Sequence, residues 1–123
     1  MYPLDLRNLE QQSSIKTVRK KWGKEIWLVN EPEYCAKLLC INKGSVSSYH
    51  HHKKKETFIP VEGKIGLVLE EKSHIMTEPV TIQSDEDHCF LGITDAVILE
   101  VSTHHNGRQV QRLTESKEQY GSN

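Results

Sequence analysis

The chain has 123 residues, a usual length for one domain, and its 16 basic and 17 acidic residues leave a net charge of −1. Because the charges nearly balance, nothing in the composition favours nucleic acid or an anionic membrane, and we expect neither partner. The apolar runs are far shorter than a membrane span. Segment 1–12 lacks the basic and apolar regions of a signal peptide, and the three cysteines lack CxxC spacing, so we expect buried, reduced thiols and a cytoplasmic protein.

Short strands dominate the rest of the chain. Residues 1–20 are polar and weakly patterned, with a helical turn or two favoured only at Asp5–Gln12, so we expect an irregular or helical N-terminal arm. The predicted strands are Ile26–Val29, Tyr34–Ile41, Val46–His51, Thr57–Val61, Ile65–Leu69, Val80–Ile82, Cys89–Ile93 and Ala96–Val101. About eight short strands at intervals near ten residues predict an all-β sandwich or barrel. We place this single domain at 21–113 and a polar tail at 114–123.

The stretch HHHKKKE, residues 50–56, carries the clearest chemical signal. On a strand, His50 and His52 share a face and His51 points the opposite way. The three lysines fit a solvated hairpin connection, after which Glu56 begins the next strand beside the histidines. Imidazole and carboxylate ligands suit one divalent metal ion, namely Zn, Mn, Fe, Co or Ni. The alternative is a solvated basic loop that happens to contain histidines.

His88 begins another short strand, and a barrel can bring it across as a fourth ligand; the alternative is a surface histidine at a strand start. The spacing G-x5-H-x-H-x3-E-x6-G, met by Gly44, His50, His52, Glu56 and Gly63, resembles the first motif of the cupin superfamily. The resemblance implies a small jelly-roll β-barrel with a metal in its mouth. The segment SDEDHCFLGI supplies the histidine of the second cupin motif, without the proline and glycine of that motif and with Gly92 in place of its asparagine.

Four flanking segments make the resemblance to cupins more specific. They are KWGKEIWLV (21–29), EYCAKLLCINKG (33–44), LEVSTHH (99–105) and VQRL (110–113). With the motif they resemble type II mannose-6-phosphate isomerase domains and D-lyxose isomerase-like sugar cupins, over roughly residues 18–113. Lys21 replaces the proline before Trp22, and Gln109 replaces the acid before Val110. The resemblance implies a metal-dependent isomerase or epimerase of a sugar or sugar phosphate.

Proton transfer between neighbouring carbons of a sugar needs a general base or acid. Glu100 and His105 are the candidates, because both lie in the stretch that matches the family. A surface carboxylate on a strand is the alternative for Glu100, and a loop histidine is the alternative for His105.

A phosphate or carboxylate on the substrate would need fixed cations. Lys37 interrupts an apolar run and needs a partner or a ligand, unless it lies on an edge strand with its ammonium in solvent. Lys55 is placed to reach over the mouth or to remain a solvated turn residue. Arg112 is placed to bind substrate or to form a surface ion pair. Phe58 is two residues after Glu56 and is expected on the same face of the strand. It would either form a wall of the sugar-binding cavity or fill the core.

Two other functions fit the same residues. A non-catalytic cupin would hold a sugar or a nucleotide-sugar, and a metal-dependent dioxygenase would use the same four ligands. Open sheet edges favour a homodimer as the assembly.

Overall fold

The computed structural model describes residues 5–12, 15–47, 49–52, 54–104 and 110–112, with backbone only at 12, 51, 52 and 110–112. The described residues form one short 3-10 helix, Leu6–Gln12, and eleven strands. The strands are β1 Lys16–Lys20, β2 Gly23–Asn30, β3 Cys35–Ile41, β4 His50–His52, β5 Glu56–Glu62, β6 Ile65–Leu69, β7 Lys72–Ile75, β8 Val80–Ile82, β9 His88–Gly92, β10 Ala96–Ser102 and β11 Val110–Arg112. The predicted all-β class is confirmed, as is the helical turn near the N-terminus.

Two antiparallel sheets enclose the core. One has six strands in the order β1-β2-β3-β10-β5-β8, and the other has five in the order β11-β4-β9-β6-β7. Alternate side chains of both sheets meet between them. The buried core consists of Trp22, Leu39, Ile41, Phe58, Ile65, Leu67, Met76, Ile82, Phe90, Ala96 and Ile98. Glu56, Glu100 and Ser102 are buried polar residues near the end of the six-stranded sheet where β5 begins and β10 ends, and this end is the mouth of the barrel.

The 3-10 helix covers the outer face of the six-stranded sheet. Its Leu6 and Leu9 pack on a small second cluster that includes Ile26 and Cys40. Beside them the Lys24 ammonium donates to the Glu10 carboxylate, which lets a lysine lie buried in β2. The helix therefore supplies both apolar cover and a charge partner.

The predicted hairpin between the histidine strand and Glu56 is wrong. Strand β4 pairs with β9 and β11, whereas β5 pairs with β10 and β8, so the two consecutive strands belong to different sheets. Three residues fit a hairpin loop, but they also span about 10 Å, which is the usual separation of packed sheets. Length alone does not distinguish the two connections.

Strand β1 lies in the segment for which the sequence predicts only an arm, and it pairs with β2 along its whole length. Strand β7 is exposed at every residue and forms the edge of the five-stranded sheet. Both are edge strands without a clean apolar alternation, which explains why the pattern does not predict them. Cys35, Cys40 and Cys89 are buried free thiols, as expected. Among the described residues, no helix has the length and apolar character needed to cross a membrane.

Candidate functional site

Strand register places the polar residues at one end of the barrel. On β10 the alternate residues Ile98, Glu100 and Ser102 point inward. Glu100 lies opposite Lys37 of β3 and Phe58 of β5. The same register sets Ser102 beside Glu56 and Cys35 one row further toward the mouth. The alternative of a surface position for Glu100 is therefore wrong.

A buried lysine lies between two carboxylates in this mouth. Lys54 is 5 % exposed, and its Nζ donates to Glu100 Oε2 at 3.2 Å and lies 3.7 Å from Glu56 Oε2. The Ser102 hydroxyl is 3.4 Å from both Lys54 Nζ and Glu100 Oε2. This arrangement keeps two carboxyl groups and one ammonium close together in a site that excludes most water.

Burial changes the acidity of Glu56, which is 2 % exposed. Loss of hydration, together with repulsion from Glu100, raises the pKa of the Glu56 carboxyl to about 8, although Lys54 and Lys37 oppose the shift. In the polypeptide alone, Glu56 therefore holds a proton near neutral pH. A carboxyl of this kind serves as an acid or, once a cation displaces its proton, as a ligand.

His88 faces Glu56 from the other sheet and is 1 % exposed. Its Nδ1 lies 3.0 Å from the Glu86 carbonyl oxygen, and because a carbonyl only accepts, Nδ1 carries the hydrogen. Burial lowers the pKa of His88, so the ring is neutral and Nε2 presents its lone pair. Nε2 lies 3.7 Å from Glu56 Oε1.

The donor geometry fits a divalent ion between Glu56 and His88. A separation of 3.7 Å exceeds a hydrogen bond, but it suits two ligands that each lie about 2.0–2.2 Å from one ion. A backbone carbonyl on the second nitrogen is the usual orienting partner of a metal-binding histidine. The half-buried His50 is paired with His88 across the strands, and their ring centroids are 4.7 Å apart.

The ligand set is incomplete in the described part of the chain. The side chain of His52 lies outside the description, and no group of three or more His, Cys, Asp or Glu residues is in position to hold a metal among the side chains that are described. The structure thus brings Glu56 and His88 together with the His50 ring beside them. The backbone places His52 two residues further along β4.

Lys37 is 2 % exposed, and β3 lies inside the six-stranded sheet, so the alternative of an edge strand is wrong. Its Nζ lies 4.0 Å from the centroid of the Trp27 ring and 3.9 Å from Glu25 Oε1. Burial lowers the pKa of Lys37, while attraction to Glu100 and Glu25 opposes that change. Lys37 therefore adds a second buried cation on the far side of Glu100.

The other predicted site residues occupy different positions. Phe58 is buried, packs edge-on against Phe90 at 4.7 Å between centroids, and lies 5.6 Å from the His88 ring, which makes it the floor of the mouth. Lys55 is exposed. Arg112 pairs with His50 through the backbone, and its side chain lies outside the description. His105 lies outside the described residues.

The site contains a residue that the sequence pattern assigns to solvent. The prediction of three solvated lysines is wrong for Lys54, whereas Lys53 lies outside the described residues. Strand alternation could have predicted the burial of Lys54, because Lys54, Glu56 and Phe58 are separated by two residues each and all three are buried. The need of buried carboxylates for a nearby cation explains the burial of Lys54.

No family model matches the chain, and no curated protein matches it. Its fold is similar to that of a Streptomyces PAC13 variant with uridine, with a TM-score of 0.73 and 10 % identity over 96 % of this chain and 94 % of that chain. A further Pac13 structure is described as that of a nucleoside dehydratase. KdgF from Halomonas has a TM-score of 0.64 and 13 % identity over 69 % of this chain and 81 % of that chain.

Oxalate decarboxylase from Bacillus subtilis is also similar, with a TM-score of 0.70 and 16 % identity over 80 % of this chain. The chain spans only 30 % of the length of that enzyme. Identities this low establish the fold alone. The predicted cupin-type β-barrel is thus confirmed, and the narrower likeness to sugar-phosphate isomerases stays a prediction.

Proposed function

We propose that this cupin-fold chain is a metal-dependent isomerase or epimerase that acts on a sugar or sugar phosphate. The observation that carries the proposal is the buried array of Glu100, Lys54 and Glu56 beside His88. Groups whose environments favour different protonation states supply an acid and a base within one site. The cupin spacing around His50, His52 and Glu56 adds independent support from the sequence.

The metal site would use His50, His52, Glu56 and His88 to hold one divalent ion, for which Zn, Mn, Fe, Co and Ni are all suitable. Such an ion, when bound, supplies Lewis-acid polarisation of a carbonyl and an adjacent hydroxyl. The buried mouth and the orientation of His88 by Glu86 support this assignment. The assignment of His52 as a metal ligand rests on the spacing of the motif.

Glu100 is the proposed base. It removes a proton from the carbon next to the substrate carbonyl, and the electron pair moves onto the carbonyl oxygen to give an enediolate. The Lys54 ammonium, 3.2 Å from Glu100, donates to that carboxylate and offsets the negative charge that develops. Delivery of the proton to the former carbonyl carbon, with transfer of the hydroxyl hydrogen to the former carbonyl oxygen, gives the isomer. Delivery of a proton to the opposite face of the original carbon gives the epimer. His105 remains the second candidate for this proton transfer.

Three cationic residues are the proposed anchors for an anionic substrate. The buried Lys37, the exposed Lys55 and Arg112 are proposed to attract a phosphate or a carboxylate, and Phe58 forms an apolar floor for the sugar carbons. The sugar hydroxyls would then face the carboxylates above that floor.

The test is an assay of aldoses, ketoses and their phosphates in deuterated water with Mn or Zn added. We expect interconversion, with deuterium incorporated at the carbon that changes. Glu100→Gln should lower kcat by about 10²–10⁴-fold, because it removes the base, whereas Glu78→Gln, an exposed glutamate, should have no effect. Turnover of none of these substrates by metal-loaded protein would contradict the proposal. Thermal stabilisation by a sugar without turnover would instead indicate a binding cupin.

Elimination of water is the second candidate. The likeness to Pac13, a nucleoside dehydratase, extends over nearly the full length of both chains, and the same acid–base array suits such a reaction. A base removes the proton next to a carbonyl, and an acid protonates the departing hydroxyl, so that a double bond forms and water is released. Incubation with oxidised nucleosides or sugars, followed by mass spectrometry, distinguishes loss of one water from an unchanged mass.

A further inference from the structure

The mouth already contains a cation beside the position proposed for the metal. Lys54 Nζ lies 3.7 Å from Glu56 Oε2, while the other oxygen of the same carboxyl, Oε1, lies 3.7 Å from His88 Nε2. The two oxygens of Glu56 therefore face two different groups. One oxygen faces the ammonium, and the other faces the imidazole that would share the ion.

Glu100 holds the ammonium more closely than Glu56 does. The Lys54–Glu100 distance is 3.2 Å, and the Ser102 hydroxyl adds a contact at 3.4 Å on the same side. Cys35, the cross-strand partner of Ser102, is fully buried on the same side. The packing thus biases Lys54 toward β10 and away from the His88 side of Glu56.

We infer that the Lys54 ammonium competes with the metal and so sets the metal affinity of the site, and that Glu100 holds Lys54 away from the metal position. The inference rests on the proposed metal site. A fixed ammonium a few ångströms from a dication weakens binding of that dication, and burial limits the screening. The closer Glu100 carboxylate draws Lys54 away and leaves Glu56 available to the metal. Removal of Lys54 should therefore tighten metal binding, and removal of the Glu100 charge should weaken it.

The experiment measures the dissociation constants of Zn²⁺ and Mn²⁺ by competition with a fluorescent chelator. Lys54→Met should bind each metal about tenfold more tightly or better, since tenfold corresponds to about 1.4 kcal/mol. Lys72→Met is the control, because that lysine is exposed on the edge strand β7, and it should leave the constants unchanged. Far-UV circular dichroism and urea unfolding of each variant check that the fold is retained.

Glu100→Gln supplies a second variant with the opposite sign, and about tenfold weaker binding is expected. In the double variant Lys54→Met with Glu100→Gln, most of the effect of the Glu100 change should disappear, because it acts through Lys54. Equal or weaker binding by Lys54→Met in a protein whose wild type binds metal would overturn the inference alone. If neither wild type nor Lys54→Met binds either metal, the proposed metal site fails and the inference fails with it.

Discussion

Lys37 places an ammonium group inside the barrel wall, opposite Glu100 and above the face of Trp27. Glu25 and Glu100 attract the charged form, and the indole ring adds a cation–π contact. Loss of hydration nevertheless outweighs these attractions, so the pKa of Lys37 lies below its ordinary value of 10.5. The folded protein therefore binds this proton more weakly than the unfolded chain does.

The expected consequence is a stability difference that depends on pH. Because the unfolded state binds more protons between the folded pKa of Lys37 and 10.5, the contribution of Lys37 to the free energy of unfolding rises with pH over that window. Urea unfolding of wild type and Lys37→Met at about pH 7 and about pH 10 should show the difference shifting in favour of wild type. Lys55→Met, an exposed control, should show no such trend. A difference that shifts the other way would mean that the carboxylates dominate over burial.

Individual residues show how much of the candidate site could be predicted from the sequence. Alternation along the strand correctly groups Glu56 with Phe58 on the inward face, and the stretch that resembles the family includes Glu100, which is buried. The same alternation places Lys54 on the inward face. A lysine in a short connection is usually exposed, however, and the prediction made from its residue type was wrong. A buried lysine becomes predictable only when its carboxylate partners are known, and Glu100 is distant in the chain and becomes adjacent only through strand register.

Turn glycines provide a test at the level of single elements. Gly44 and Gly63 have φ values of +80° and +77°, and both belong to the cupin-like spacing. A Cβ at Gly44 would meet nothing within 4 Å, whereas a Cβ at Gly63 would lie 2.1 Å from the Asp95 carbonyl oxygen. The turn between β5 and β6 is thus pressed against the start of β10.

Gly44→Ala should cost about 1–2 kcal/mol of unfolding free energy, which is the penalty of the left-handed conformation alone. Gly63→Ala should cost at least twice as much, because the backbone must also move away from Asp95. Urea unfolding of the two variants gives the comparison. Equal costs would mean that the turn at Gly63 relaxes without strain. The sequence spacing alone treats the two glycines alike.

The 3-10 helix should control access to Cys40. The Cys40 thiol donates to the Arg7 carbonyl oxygen at 3.8 Å, and Leu9 packs over the same cluster. Leu9→Ala should weaken this cover and raise the rate of thiol labelling at Cys40 by about tenfold for each 1.4 kcal/mol of local stability lost. Leu28→Ala, an exposed leucine of β2, is the control. Peptide mapping separates Cys40 from Cys89, whose labelling should remain slow because burial raises its pKa to about 11.

At the scale of the whole molecule, the candidate site joins the two sheets. His50 and His88 belong to the five-stranded sheet, and Glu56 and Glu100 belong to the six-stranded sheet. Strand count and alternation predict the class of fold, but a three-residue connection leaves the choice between a hairpin and a crossing open. The candidate residues could therefore be named from the sequence, whereas their distribution over two facing sheets depends on pairing far along the chain.

A ligand held by both sheets should stabilise the whole barrel. At a metal concentration of about 100 times Kd, binding to the folded state alone adds about 2.7 kcal/mol. For a chain of this size the melting temperature should rise by about 10 °C or more. His88→Gln removes a donor from the five-stranded sheet and should lose most of this rise, whereas His74→Gln, at an exposed position of β7, should keep it. Differential scanning calorimetry with and without Mn²⁺ or Zn²⁺ makes the comparison, and an equal rise in His88→Gln would place the bound metal away from the barrel mouth.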